Sequence, residues 1–170
     1  MQNELSTLAS DPITGPRKNA GCQDNPHPGR PLVTQAITRG VCRYLIDTGL
    51  APLTEFTLAN GRRADIVAVG AQGEIVMVEV KSCPADFLGD HKWTDYLGFC
   101  DRFFFAVDMT FPQEILPGHA GLMVGDDYGA AITRAAEEDQ LSAARRKAVT
   151  IRIARQAMMR RLVVADAAGG

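Results

Sequence analysis

Two short segments hold the residue types that can do chemistry together. The run E-I-V-M-V-E-V-K at residues 74–81 reads as a β-strand, whose successive side chains point to opposite faces. Val76, Val78 and Val80 share one face, and Ile75, Met77, Glu79 and Lys81 share the other. An apolar face therefore ends in an acid and a base. Burying charge is costly unless the charge is paired or put to use, so packing alone does not account for this pair. The run R-A-D-I-V-A-V at residues 63–69 makes a similar switch, with Arg63, Asp65, Val67 and Val69 on one face. A hairpin between the two runs lays Asp65 beside the Glu79/Lys81 end. Carboxylates from neighbouring strands suit Mg²⁺ or Mn²⁺, hard cations that keep several of their waters. A lysine beside them can orient an attacking water or steady charge growing on a phosphate oxygen. The chemistry open to Asp65, Glu79 and Lys81 is hydrolysis of a phosphodiester, with Asp65 and Glu79 as metal ligands. The bland alternative is an exposed strand-end ion pair, which contributes little.

The elements that must position these residues follow from periodicity. Apolar residues at Val33, Ile37, Val41, Leu45 and Ile46 predict a helix over 32–48, with Pro31 in its first turn and Gly49 as its stop. The period then changes to two. Strands are expected at 53–58, 63–69 and 74–81, joined by Asn60-Gly61 and by a turn at 70–73, as an antiparallel meander. A helix over about 90–99, capped by Asp90, leads to the apolar strand F-F-F-A-V at 103–107, which reads as central and buried on both faces. A helical turn is expected at 112–116, short strands at 121–124 and 130–133, and a last helix over about 142–164. The fold class is α/β, a mixed sheet flanked by helices.

Residues 1–30 are punctuated by proline and glycine and read as a mobile tail. Residues 31–164 form the single domain, and 165–170 a C-terminal tail. At 170 residues, 46% hydrophobic and 22% charged, the chain can bury an ordinary core. A net charge of −2 speaks neither for nor against a nucleic-acid partner. Cys22, Cys42, Cys83 and Cys100 form no closely spaced pair, and His27, His91 and His119 are isolated, so zinc is not indicated. Reduced thiols, no leader-like start and no long apolar run lead to the expectation of a soluble, cytoplasmic protein without membrane attachment.

With strand–turn–strand–turn–strand in place, R-A-D-I-V-A-V followed by E-V-K resembles the PD-(D/E)xK nuclease superfamily. Ala64 stands where the motif name has proline. The stretch from Pro31 to Leu162 further resembles the MmcB family of bacterial DNA-repair proteins, through T-E-F-T-L-A-N-G-R-R-A-D, V-E-V-K-S and D-F-L-G-D-H-K-W-T-D-Y. That resemblance implies a restriction-endonuclease-like core, a role in the DNA-damage response and a presumed endonuclease acting on DNA, whether damaged, branched or single-stranded. Other repair proteins are possible partners. Many superfamily relatives complete the metal site with a glutamate in the first helix. Residues 32–49 contain none, and Glu55 on the first strand is the candidate substitute ligand.

Lys92, Trp93 and Tyr96 follow the catalytic strand, where superfamily relatives often place DNA or site contacts; Lys92 is a candidate DNA contact, and Trp93 reads as core or as such a contact. The last helix carries Arg145, Arg146, Lys147, Arg152, Arg155, Arg160 and Arg161, with no acid between Ser142 and Val164. Its stripe Ala144, Ala148, Ile151, Met158 and Leu162 is expected to pack on the domain. The cationic remainder is a solvated face or a phosphate-binding one, with Arg145, Arg146, Arg152 and Arg155 as contacts. Two other functions compete with a nuclease. One is a catalytically silent DNA-binding or partner-recruiting module on the same fold, and the other a protein-interaction domain with no nucleic-acid role. Nothing in the sequence marks an oligomeric state.

Overall fold

A computed structural model describes residues 30–89 and 92–168. The expected N-terminal tail, with Cys22 and His27, lies outside the described residues, as do Asp90 and His91, where a helix cap was expected. Helix α1 (Arg30–Asp47) is followed by strands β1 (Ala51–Thr57), β2 (Arg63–Val69) and β3 (Ile75–Val80). Helix α2 (Pro84–Leu88) and a 3₁₀ segment (Trp93–Phe99) lead to β4 (Arg102–Val107). A 3₁₀ turn (Gln113–Ile115), β5 (Gly121–Gly125), β6 (Ala130–Arg134) and helix α3 (Ala143–Ala168) complete the order.

The strands form one six-stranded mixed sheet in sequence order. β1, β2 and β3 pair antiparallel as the expected meander, β3–β4 and β4–β5 pair parallel, and β6 returns antiparallel on β5. Both faces of the sheet are covered. Ile37, Val41 and Leu45 of α1 pack on Ile66, Val76, Val78 and Phe104. The opposite face joins Val67, Ile75, Met77, Phe103 and Phe105 to Trp93, Tyr96 and Val149. The alternation read from β3 is thus realised, with its valines toward α1. α1 ends where Gly49 adopts φ +85°, a conformation open to glycine without strain. Gly40 lets α1 lie on the β5–β6 turn, since a Cβ there would sit 2.1 Å from the Asp126 carbonyl oxygen.

Two local readings need correction. The helix expected over 90–99 is a 3₁₀ segment from Trp93, and the short α2 precedes it. In a 3₁₀ helix residues three apart eclipse, which sends Trp93 and Tyr96 together into the core. Of the two readings of Trp93 the core one holds: it is buried and stacked on Phe103 with ring centroids 5.7 Å apart. α2 starts with Pro84 at its head, the position proline favours, and Ser82 Oγ donates to Asp86 Oδ2 at 3.0 Å.

The second correction concerns α3, which runs on to Ala168 because V-A-D-A-A contains no breaker. The stripe expected to pack does not do so: Ala144, Ala148, Ile151, Met158 and Leu162 are all exposed, with Ala144 and Ala148 lining a groove against Phe56 and Phe99. The inward face carries Val149 and Ile153 among polar residues. The reason lies in the sheet edge. β1 is an edge strand, and its unpaired backbone groups need partners. Arg152 Nε donates to the Thr57 carbonyl at 2.7 Å, and Gln156 both accepts from Thr57 N at 3.1 Å and donates to its carbonyl at 2.6 Å. Arg160 donates to the carbonyls of Thr54 and Glu55.

The other end of α3 is held by Asp101, which is only 5% exposed. Its carboxylate accepts from Ile75 N at 2.7 Å, Leu141 N at 2.9 Å, and both Nη atoms of Arg146 at 2.6 and 2.7 Å. Burial pushes its pKa up, but the Arg146 guanidinium and the two backbone donors outweigh burial and hold it below the ordinary aspartate range. Asp101→Ala is expected to cost about 3 kcal/mol, because buried donors and a cation lose their acceptor. A depressed folded pKa means that this stabilisation is complete above the ordinary aspartate pKa of about 4 and is lost as pH falls through the folded value. Urea midpoints of wild type and variant should therefore converge below about pH 4. A gap that stays constant down to pH 2 would contradict this account.

Candidate functional site

β3 is buried along its whole length, and at its C-terminal end it carries Glu79 into the interior with Lys81 just beyond. Glu79 is 7% and Lys81 5% exposed, and Lys81 Nζ lies 3.3 Å from Glu79 Oε1. The pair is therefore not the exposed strand-end ion pair of the bland reading. Lys81 stays in register with the parallel half of the sheet, donating its backbone N–H to the Ala106 carbonyl at 2.9 Å.

On its other side β3 parts from β2. Their ladder runs from Val69↔Ile75 to Ile66↔Val78 and stops there. Where the next backbone bond would form, the Asp65 side chain takes over, its Oδ2 accepting from Val80 N at 2.8 Å. The carboxylate is thus fixed against the backbone between Glu79 and Lys81. Burial raises the Asp65 pKa; the Val80 N–H and the charges of Lys81 and Arg63 oppose this, and Glu55 adds to it.

The same level of the sheet is irregular in β1. Glu55 has φ +49°, a left-handed conformation that costs a non-glycine residue roughly 1–2 kcal/mol. Register pairs Thr54↔Ile66 and Phe56↔Ala64 flank it. Leu53 and Phe56, three apart, pack in the same core, as do Ala64 and Val67 on β2, which strict alternation forbids. Both strands therefore switch face beside Asp65. Arg160 grips the Thr54 and Glu55 carbonyls at the strained position, so α3 holds the irregularity in place. Nothing in the sequence around Arg160 sets it apart from the other arginines, and only the docking of α3 on β1 assigns it this part.

Asp65, Glu79 and Lys81 are thus brought together. Glu55 lies close enough to bear on Asp65, but its side chain is exposed and sits 3.9 Å from Arg63 Nη1. Among the described residues, no three His, Cys, Asp or Glu side chains gather as a metal-binding group. The expected DNA contacts do not form one surface. Arg146 is committed to Asp101 and the Gly73 carbonyl, and Arg152 to Thr57. Arg145 lies over the Phe99 ring, 5.1 Å from its centroid, while Lys92 and Arg155 are exposed. A groove of about 570 Å³ runs beside α3 against Phe56, Leu58 and Phe99, and the acids of the site do not line it.

Cys42 and Cys100 are not poised for this chemistry. Burial raises the Cys42 thiol, and burial with the neighbouring Asp101 charge pushes Cys100 up to about 12, so neither is a ready thiolate. Among the described residues no helix is long and apolar enough to cross a membrane.

Fold and site define an α/β domain with a mixed sheet and a buried acid–base pair at the C-terminal end of β3, faced by an aspartate. The chain belongs to the MmcB-like family of DNA repair proteins, whose family model matches residues 23–168. A solved protein of unknown function from Silicibacter pomeroyi is similar, with 44% identity and a TM-score of 0.77 over 81% of this chain and 94% of the other. No curated protein matches the chain.

The Asp65 environment carries a prediction. Its folded pKa is raised above the unfolded one, so the charged form is disfavoured in the native state. That cost is absent at low pH, appears as pH rises past the ordinary aspartate pKa of about 4, and is complete above the raised value. Asp65→Asn is therefore expected to raise the urea midpoint at pH 7, with the gain fading toward pH 4. A variant less stable than wild type at pH 7 would show that the carboxylate supports the fold.

Proposed function

We propose that this DNA-repair protein is a metal-dependent endonuclease on a restriction-endonuclease-like core, with Asp65, Glu79 and Lys81 as its site. The observation that carries this reading is the burial of Glu79 and Lys81 together at the end of β3, opposite a carboxylate on β2. A fold needing only packing has cheaper residues for those positions. The expected substrate is damaged, branched or single-stranded DNA.

The donor set fits Mg²⁺ or Mn²⁺ in type. Asp65 and Glu79 offer hard carboxylate oxygens from adjoining strands, and Mg²⁺ is commonly held by one or two carboxylates with water and phosphate oxygens. Glu55 is the candidate third ligand and would have to turn from Arg63 to serve. When bound, the ion neutralises charge on the phosphate and acidifies water. The chain's own residues do the rest. Val80 N–H fixes the Asp65 carboxylate beside Glu79 and Lys81. Lys81, lying against Glu79 in a low-dielectric setting, is a fixed positive charge for a phosphate oxygen or attacking water. Lys92 and Arg145 are exposed cations near the 3₁₀ segment and are the candidate phosphate contacts there.

A second reading, a silent module that binds DNA or recruits repair partners, is favoured by one observation. Three acidic ligands do not gather among the described residues. Labelled single-stranded, nicked, flapped and branched DNAs incubated with Mg²⁺ or Mn²⁺ separate the two. Cleavage is expected for wild type, falling at least ~100-fold in Glu79→Gln and in Lys81→Met. Circular dichroism confirms that each variant is folded. No cleavage by any protein, with salt-sensitive binding retained, establishes the silent module. Neither cleavage nor binding leaves an interaction domain without a nucleic-acid role.

A further inference from the structure

We infer that the outward face of α3 is a two-fold, antiparallel dimer contact with a second copy of this chain. The face is built as a seam. Arg155, Met159, Leu162 and Asp166 follow one another at spacings of four, three and four, the alternation that keeps residues on one line of a helix pair. Met159 is 63% and Leu162 60% exposed, and Met158 flanks them at 67%. α3 presents its polar clamps to its own sheet edge and leaves this apolar line uncovered, the reverse of an ordinary surface helix.

The charges on the seam indicate its occupant. Arg155 has no acid within reach along α3, because residues 143–165 contain none. Asp166 stands in the last turn of the helix, where the macrodipole disfavours a negative charge. The two lie eleven residues apart on one side, about 16 Å along the axis. When two copies of α3 run antiparallel, Arg155 of each meets Asp166 of the other, and Met159 of each meets Leu162 of the other. Every position then faces its complement, which is the requirement of an isologous contact. A parallel pair would set Arg155 on Arg155. Residues 161–167 are exposed around the whole helix, so the seam is open to a neighbour. Arg161 points well away from the seam line and remains in solvent.

About three turns of each helix meet, less than the roughly 1,200–2,000 Å² buried by standard stable interfaces. The dimer is therefore expected to be weak, dissociating at roughly 10–100 μM.

Sedimentation velocity of the full chain from about 5 to 500 μM tests this, at a concentration span set by that affinity. Wild type is expected to pass from monomer to dimer. Leu162→Glu should weaken association at least ~10-fold, as should each of Arg155→Glu and Asp166→Arg, about 1.4 kcal/mol apiece. The double variant Arg155→Glu/Asp166→Arg should restore it. All three substituted positions are exposed, so the monomer keeps its fold. A chain that stays monomeric throughout overturns the inference, as does a dimer indifferent to Leu162→Glu or a double variant no better than the singles. A monomer that instead co-floats with phosphatidylglycerol vesicles, and loses them with Leu162→Glu, assigns the face to a lipid surface and equally overturns it. Cleavage or binding of DNA plays no part in the readout, so the result stands apart from the proposed activity.

Discussion

β3 is buried on both faces and yet delivers Glu79 and Lys81 to its C-terminal end, and much of the architecture follows from accommodating that strand. An isolated charge in an apolar interior would lose its ionisation or destabilise the fold. The two lie against each other, and the strand's neighbours diverge around them. β4 continues in register through Lys81, while β2 leaves at Asp65 and substitutes a side-chain carboxylate for a backbone acceptor. The sheet opens where its polar groups converge, and is closed by ladder bonds where it is apolar.

Local strain accompanies that opening. Glu55 is held in a left-handed conformation, and burial disfavours the charged form of Asp65. Neither feature improves stability. Strain and disfavoured ionisation of this kind concentrate where a protein prepares for chemistry, and the surrounding structure must over-determine them. Here that support comes from Arg160, which binds the backbone on both sides of the irregularity, and from the Val80 N–H.

α3 links the two halves of the molecule through hydrogen bonds more than through apolar packing. Arg146 on Asp101 anchors its first turns to the β3–β4 side, and Arg152, Gln156 and Arg160 close the free edge of β1. Edge strands that keep open backbone groups invite pairing with other chains, and side chains from a flanking helix remove that hazard. The same arrangement uses up arginines that would otherwise read as phosphate contacts. It also turns Met159 and Leu162 outward, which is why the helix has an apolar face for another molecule.

The sequence by itself determined the strands and the two faces of β3, because a period of two is a local property of the backbone, whereas β1 and β2 change face beside Asp65. It also located Asp65, Glu79 and Lys81 beside one another, since a hairpin of known turns places its own residues. It determined α1 through helical spacing and the F-F-F-A-V strand through an unbroken apolar run, which are also local signals. The tertiary structure alone decided what depends on distant partners. The inward face of α3 was set by the unpaired edge of β1 some hundred positions earlier in the chain, and helical periodicity cannot report which of two faces meets such an edge. The outcome at Trp93 and Tyr96, the strain at Glu55 and the fourfold role of Asp101 likewise rest on contacts between elements. Residue order encodes them only through the whole fold.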